Sequence, residues 1–234
     1  MTSFMKRFYT TVEIIAEQGR FLITLDGKLL RTPARNIFEL ENSSLAEAVQ
    51  KEWQDQEEFI IPQSMPFTKL INSALDGGEK RQAQVVDDIV RYAGSDLLCY
   101  RADTPEELAQ RQKQKWDPVL NQFAKTFGIY FSVTENISFI PQSCETLQKV
   151  RKLIMSYPSF FSLYALHSLT TLSGSVILAL SIGKKLMSSS YGWELAHLDE
   201  TYQETLWGID KEAEQRRNNQ FLEFCAATRV LEWI

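Results

Sequence analysis

Histidine and cysteine, the side chains that most often bind zinc, are scarce in this chain of 234 residues. It has two histidines, at positions 167 and 197, and three cysteines, at positions 99, 144 and 225. The cysteines are odd in number, far apart and without a CxxC pair, so they make a poor disulfide framework. A zinc or iron site needs several such ligands brought together. The sequence therefore predicts no metal site and a reducing compartment.

Positive charge and catalytic motifs are lacking too. Lys and Arg total 25 against 30 Asp and Glu, which gives a net charge of −5. Proteins that bind nucleic acid usually carry net positive charge to neutralise phosphates, so this class is disfavoured. The GxSxG, HExxH and GxGxxG motifs are missing, and so is a phosphate-binding loop. On this basis we predict no cofactor and no catalytic residue.

A long uncharged stretch raises the question of a membrane segment. No Asp, Glu, Lys or Arg occurs from Leu153 to Gly183, and a spanning helix needs roughly 20 mostly apolar residues. Pro158, His167 and several Ser and Thr residues interrupt this stretch, however. We interpret it as part of one long buried helix, about residues 159–186, at the centre of a soluble domain with no membrane insertion.

What the chain does contain begins with a β pattern. Residues 21–25 alternate in side-chain character and precede Asp26-Gly27, the strongest short signal for a hairpin, because both positions of its turn need positive φ. Residues 11–17 predict a preceding strand, and residues 36–40 predict another. Three or more strands with one apolar face are enough for a small sheet.

Helical patterns dominate the remainder. Residues 44–47 have the form of a capping box, which predicts a helix with Ser44 as its N-cap. Apolar residues recur at helical spacing over residues 80–93. Further helices are predicted from Thr104 as an N-cap, after a restart at Pro118, and over residues 144–156, 159–186 and 193–217, with one isolated strand at 128–134.

Together these patterns predict an α+β fold. A small N-terminal β-rich domain, a hairpin-based sheet with a helix, precedes a larger and mostly α-helical domain. The double glycine Gly77-Gly78 is the predicted linker, which places the domains at residues 1–77 and 78–234. Trp53 and Trp116 are predicted to pack in the core.

One segment near the C-terminus concentrates titratable groups. His197 and Glu200 are three residues apart, a spacing that places both on one face of a helix and suits acid–base chemistry or a metal. A solvated helical turn is the simpler interpretation, and we favour it because charge clusters on helices are usually exposed.

The same segment suits a protein interface better than a small-molecule site. Its acids are accompanied by large aromatic residues that we expect to be exposed. The acids are Glu194, Asp199, Glu200 and Glu204, and the aromatics are Trp193, Tyr202 and Trp207. Aromatic anchors with a charged rim supply affinity and steering at protein interfaces. We predict partner binding through this segment, with the four acids and Trp207 as contact residues.

Several blocks along the chain resemble one family, the assembly chaperones that serve the α subunit of the F1 sector of ATP synthase. Five blocks match in order, which makes the resemblance specific. They are DGKLLRTP at 26–33, the segment from EW at 52–53 to Asp76, DLLCYRA at 96–102 with WDP at 116–118, SLTTLSGS at 168–175, and the helix with LDE at 198–200 and WG at 207–208.

The resemblance implies both a fold and a function. Members of this family have a small β-rich N-terminal domain joined to a larger helical one. They bind the free F1 α subunit, keep it from aggregating and release it for assembly with β, without needing a nucleotide. The family's functional carboxylate corresponds to Glu200, with Glu204 as a second match.

Two other functions stay open at this stage. One is a hydrolase that uses the neighbourhood of His197 and Glu200, and the other is a generic holdase for many aggregating chains. For the favoured chaperone we expect a monomer. The hairpin region begins close to residue 1, which favours a bacterial cytoplasmic protein; the alternative is a processed form in the mitochondrial matrix.

Overall fold

The N-terminal part of the chain folds into antiparallel strands, as the alternating pattern predicts. The structure, a computed structural model, describes residues 5–135 and 138–234. Its strands are β1 (Met5–Lys6), β2 (Val12–Glu17), β3 (Arg20–Leu25), β4 (Lys28–Leu29), β5 (Glu39–Leu40) and β6 (Phe59–Ile60). Strands β2, β3 and β4 are adjacent in that order, β5 also pairs with β3, and β1 pairs with β6.

The predicted hairpin turn is confirmed. Leu25 pairs with Lys28 across the turn, and the two residues between them have the positive φ that this turn requires, 49° at Asp26 and 75° at Gly27. The Asp26 carboxylate also accepts hydrogen bonds from the backbone N–H groups of Thr10 and Thr11. The turn residue therefore ties the hairpin to the N-terminal segment.

Ten α-helices are found in the described part of the chain. They are α1 (Ser43–Gln54), α2 (Pro66–Gly77), α3 (Gln82–Ala93), α4 (Glu106–Phe127), α5 (Cys144–Ile154), α6 (Phe160–Ser173), α7 (Val176–Gly183), α8 (Ser189–Ala196), α9 (Leu198–Trp207) and α10 (Lys211–Trp233). A small sheet followed by a mostly helical region confirms the predicted α+β class. None of the helices in residues 5–135 and 138–234 is both long and apolar enough to span a membrane.

One hydrophobic core connects the sheet to the helices. It runs from fully buried strand residues such as Ile23 and Leu40, through α1 and α2, to α6 and α7. Helix α6 lies centrally and packs against α2, α3, α7 and α10. Because α7 is almost entirely buried, it has no polar face, and the absence of charge in this part of the sequence follows from that burial.

The proposed linker at Gly77-Gly78 is closely packed. Helix α2 continues to Gly77 and ends at Gly78, which has a positive φ of 54°. A Cβ atom on Gly77 would overlap the hydroxyl group of Tyr164 on α6. Gly77 therefore allows the two helices to approach, and the domain boundary itself stays a prediction.

Two helix starts differ from their predicted positions. Helix α1 is capped by Asn42, whose side chain accepts a hydrogen bond from the Leu45 N–H at 3.0 Å, and not by Ser44. Asn is as good an N-cap as Ser, and Asn42 is also held by a hydrogen bond to the Trp233 carbonyl. Helix α4 begins at Glu106 with Pro105 at the cap position, one residue beyond the prediction for Thr104.

The predicted restart at Pro118 is wrong, because Pro118 lies inside the continuous helix α4. Tertiary packing outweighs the missing N–H there: Trp116 is fully buried, as predicted, and donates to the Leu195 carbonyl at 3.0 Å. The predicted strand at 128–134 is also wrong. That segment makes one isolated bridge, between Tyr100 and Thr134.

Both long C-terminal helices predicted from the sequence are divided. The one at 159–186 ends at Gly174, in the left-handed region with φ 66°, and restarts as α7 with Ser175 as its N-cap. The one at 193–217 is replaced by parts of α8, α9 and α10, with breaks at His197 and at residues 208–210. The break at Gly174 divides the buried uncharged segment into two helices. The break at residues 208–210 creates an exposed turn between α9 and α10.

Candidate functional site

Helix α9, which carries the predicted contact residues, is fixed to the rest of the molecule by one face. Its single buried side chain is Tyr202, which lies under the guanidinium of Arg111 on α4 at 5.3 Å from the ring centroid. Gly208 ends the helix with a φ of 84°, and the Asp210 side chain caps α10 by accepting from the Glu212 N–H at 2.9 Å. A tight, well-capped turn therefore joins α9 to α10.

This turn exposes apolar side chains. Trp207 is 85% exposed, the highest fraction among the large hydrophobic residues in the described part of the chain, and Leu206 and Ile209 are 56% and 60% exposed. A single exposed apolar residue needs no explanation, but three within four positions form a patch typical of an interaction site. We call Leu206, Trp207 and Ile209 the α9 tip.

Three of the four predicted acids hold the surrounding helices together. Glu194 pairs with Lys115 at 3.1 Å, Asp199 accepts from the side-chain amide of Gln112 at 2.8 Å, and Glu204 pairs with Arg217 at 2.7 Å. These contacts join α8 and α9 to α4 and α10. Glu194, Asp199 and Glu204 are therefore already paired with other helices of the fold.

Glu200 is exposed, as is Glu194. The Glu200 carboxylate makes no hydrogen bond or ion pair with another described residue, so it faces solvent one turn and more from the tip. The hydrogen bond from Arg217 to Glu204 raises the pKa of the Arg217 guanidinium, and the nearby charges of Glu204, Glu214 and Glu200 strengthen that effect.

The predicted aromatic cluster is only partly exposed. Tyr202 is 5% exposed and belongs to the packed side of α9, and Trp193 is half-buried against Phe221 and Phe224. The expectation of three exposed aromatics was wrong for these two residues, because the alternation of helix faces places Tyr202 inward. Trp207 alone is available as an aromatic anchor.

The structure gives no support to chemistry at His197. Its ring stacks on Trp193 with a centroid distance of 3.8 Å, and Nδ1 lies 3.0 Å from the Trp193 carbonyl oxygen. No hydrogen bond joins it to Glu200. His167 belongs to α6. Burial lowers the pKa of its imidazole, and the negative charge of Asp88 opposes this effect only in part. No cluster of three metal-binding side chains occurs in the ranges 5–135 and 138–234.

A second surface feature was not predicted from the sequence. A groove of about 770 Å³ lies between the N-terminal segment, the β3–β4 hairpin and helices α1 and α2. Trp53, predicted to be a core residue, is half-buried and forms part of its wall. The sequence signal for this groove was the pair Leu29 and Leu30 in the hairpin. These two apolar residues stand between the basic residues Lys28 and Arg31.

A family model and two solved structures similar to this chain all belong to chaperones or to Atp12. A family model described as ATP12 chaperone protein matches residues 6–124. The crystal structure of Atu1473, described as a putative chaperone from Agrobacterium tumefaciens, superimposes with a TM-score of 0.91 at 39% identity, covering 97% of this chain and 85% of that one. Atp12 from Paracoccus denitrificans gives a TM-score of 0.87 at 34% identity and 98% coverage of both chains.

A curated relative extends the similarity to eukaryotes. The mitochondrial protein atp12 of Schizosaccharomyces pombe is 26% identical, over 97% of this chain and 81% of the relative. A helical fold with a β-rich start and matches of this extent define a chaperone. This chain belongs to the ATP12 chaperone family.

Proposed function

We propose that this protein binds the free F1 α subunit, shields its assembly interface and releases it for assembly with β into the hexamer. Membership of the ATP12 family supports the assembly role. The observation that supports a binding site on α9 is the exposure of its tip. Trp207 is 85% exposed there, and Glu200 is exposed on the same helix.

The physical requirements of such a chaperone fit this surface. An unassembled subunit exposes apolar area that drives aggregation, and covering this area with an apolar anchor prevents it. Trp207 offers a large, rigid contact area, and Glu200 adds attraction for a basic patch. Moderate affinity is enough, because the native partner in the hexamer displaces the chaperone by binding more tightly.

We further propose that the protein acts as a monomer, without catalysis or a cofactor, where F1 assembles. That place is the bacterial cytoplasm, or the mitochondrial matrix for a processed eukaryotic form. The geometry around His197 favours neither a hydrolase nor a metal enzyme, because the imidazole is engaged with Trp193. A generic holdase differs from this proposal in one measurable respect, which is selectivity for the α subunit.

Light scattering of the unassembled α subunit from the same organism tests the proposal. Equimolar addition of this protein should suppress aggregation and yield a one-to-one complex in size-exclusion chromatography, while an unrelated aggregating protein stays unprotected. Equal protection of both proteins would indicate a generic holdase. Neither suppression nor a complex would refute the proposed function.

Two variants locate the site. Trp207→Ala should weaken α-subunit binding by about 2 kcal/mol, as expected for an aromatic anchor. Glu200→Lys should remove the electrostatic attraction for the α subunit without lowering the melting temperature of this protein. The matched controls are Tyr130→Ala, which removes another exposed aromatic side chain (71% exposed), and Glu13→Lys, an equal charge change on β2. Unchanged binding by both site variants would place the contact elsewhere.

A further inference from the structure

The groove described above has an apolar floor and an apolar rim. Its floor includes Leu30, Ile60 and Met65, which are buried, and its rim includes Met5 and Phe8, 64% and 63% exposed. A volume of about 770 Å³ lies in the range that binds ligands of substantial size. Apolar surface on this scale, left uncovered by the described part of the chain, marks an interaction site.

Charge around the groove is positive, although the whole chain is acidic. Lys28, Arg31 and Lys69 line it, against one carboxylate, Asp26. Asp26 is already engaged, because hydrogen bonds from the backbone of Thr11 and Thr10 lower the pKa of its carboxyl group and hold it ionised.

The cations differ in what already holds them. Lys69 pairs with Glu223 at 2.6 Å. The Arg31 guanidinium donates to the backbone carbonyl of Arg35, and no carboxylate of residues 5–135 and 138–234 pairs with it. Lys28 is exposed, and its charge acts on the already engaged Asp26. The rim is therefore complementary to carboxylates.

We propose that this groove binds an apolar polypeptide segment that carries Asp or Glu beside its apolar side chains. The identification of that segment as part of the F1 α subunit rests on the proposed function. The groove thereby complements the α9 tip, whose acidic neighbour Glu200 suits a basic region of the same partner. A client held at two surfaces of opposite charge is oriented as well as shielded.

Features of the wall favour a polypeptide over a compact small molecule. The rim residues Met5 and Phe8 are largely exposed, so within the described part of the chain the groove is open and suits an extended ligand. Met5 and Met65 have flexible, polarisable side chains that adapt to varied apolar partners. Trp53 Nε1 and Asn72 Oδ1, both buried, lack hydrogen-bond partners in the described structure, and both residues line the groove.

Fluorescence anisotropy with two synthetic peptides tests the inference without the α subunit. Both peptides have the same Leu- and Phe-rich centre, one flanked by Glu and the other by Lys, and each is titrated with the full-length protein. The Glu-flanked peptide should bind at least about tenfold more tightly, a difference of about 1.4 kcal/mol, and salt should weaken it. Equal binding of the two peptides, or no binding of either, would overturn the proposal.

Variants connect the binding to the groove. Phe8→Asp should abolish binding of the Glu-flanked peptide, and Lys28→Glu should remove the preference for it. The control Phe139→Asp changes an aromatic residue that is 69% exposed and lies outside the groove. Circular dichroism melts should be unchanged in all three variants, because each side chain is exposed. Unaltered peptide binding by Phe8→Asp would overturn the proposal.

The same variants separate this inference from the proposed function. If Phe8→Asp holds the α subunit as the wild type does while Trp207→Ala does not, the groove is not a client site and the proposed function stands. If the wild type binds the Glu-flanked peptide but not the α subunit, the proposed function fails and the groove remains a peptide site. A dimer that Phe8→Asp dissociates would assign the groove to a second copy and overturn the proposal.

Discussion

At the scale of single residues, Asp96 shows how a buried carboxylate fixes the start of a helix. It is fully buried and accepts hydrogen bonds from the Ser175 hydroxyl at 2.7 Å, from the Leu98 N–H at 3.0 Å and from the Ile177 N–H at 3.1 Å. Burial raises the pKa of this carboxyl group to about 6 against the effect of these donors. Asp96 thus connects the turn before α4 to the N-terminus of α7, deep in the core.

We predict that Asp96→Ala lowers the free energy of unfolding by about 3 kcal/mol, because it leaves several buried donors without acceptors. Asp96→Asn should cost less, since its carbonyl oxygen replaces one acceptor. Urea denaturation measures both changes. Asp103→Ala, at an exposed position, serves as the control with an expected effect within about 0.5 kcal/mol. A loss no larger than that of the control would contradict the role assigned to Asp96.

Glu52 predicts a pH dependence of stability. Its carboxylate accepts from the Phe67 N–H and the Thr68 N–H at 2.7 Å, yet burial raises the pKa of its carboxyl group from 4.5 to about 7. The folded protein therefore keeps this proton to a higher pH than the unfolded chain does. The free energy of unfolding should decrease as the pH rises from about 4.5 to about 7.

The variant Glu52→Gln isolates this contribution, since its side chain does not titrate. Urea unfolding at a series of pH values should show a smaller decrease over the interval from about 4.5 to about 7 than in the wild type. The exposed substitution Glu47→Gln should leave the wild-type profile unchanged. Parallel profiles for Glu52→Gln and the wild type would show that Glu52 releases its proton at an ordinary pH.

At the scale of elements, the local sequence pattern correctly placed the hairpin turn, but it did not place the ends of the helices that are buried on nearly all sides. Asp26-Gly27 specifies its turn by backbone conformation alone, so the sequence was sufficient to place the hairpin. Across residues 159–186 both helices are buried on nearly all sides, and no polar face marks their limits. Gly174 divides them, a position that the apolar pattern alone does not reveal.

The candidate site was predictable to a different degree in its two parts. The acids and Trp207 are adjacent in sequence, so composition alone placed them together on one segment. Which of them face solvent depended on the break at residues 208–210 and on the contacts of α9 with α4, neither of which the pattern shows. The groove is assembled from separate segments between Met5 and Ser73, and Leu29 and Leu30 beside basic residues are too weak a signal to predict it.

The contact between α2 and α6 gives a prediction about Gly77. Because a Cβ atom there would overlap the Tyr164 hydroxyl, Gly77→Ala should destabilise the protein by about 1–3 kcal/mol, although Ala is the better helix former. Thermal melts measure the loss. Adding Tyr164→Phe should restore part of the stability by removing the overlapping oxygen. A neutral or stabilising Gly77→Ala would show that Gly77 ends its helix as a linker with room to spare.

At the scale of the whole molecule, the C-terminal helix α10 packs back against the N-terminal third of the chain. The Trp233 carbonyl accepts from the Asn42 side chain at 2.8 Å, and the Trp233 ring stacks on Phe67 of α2 with centroids 5.6 Å apart. Lys69 pairs with Glu223 of α10 nearby. Helix α10 therefore contacts residues 42–69, which lie in the predicted β-rich domain, on the other side of the predicted boundary at Gly77-Gly78.

This arrangement predicts one cooperative unfolding transition. Because the core is continuous from Ile23 to α10, we expect the two predicted domains to unfold together. Differential scanning calorimetry should give a calorimetric enthalpy equal to the van't Hoff enthalpy. Trp233→Ala should lower the melting temperature of this single transition, because it removes the stacking on Phe67 at the contact between the halves. Two transitions, with Trp233→Ala shifting one of them, would instead show that the halves are independent domains.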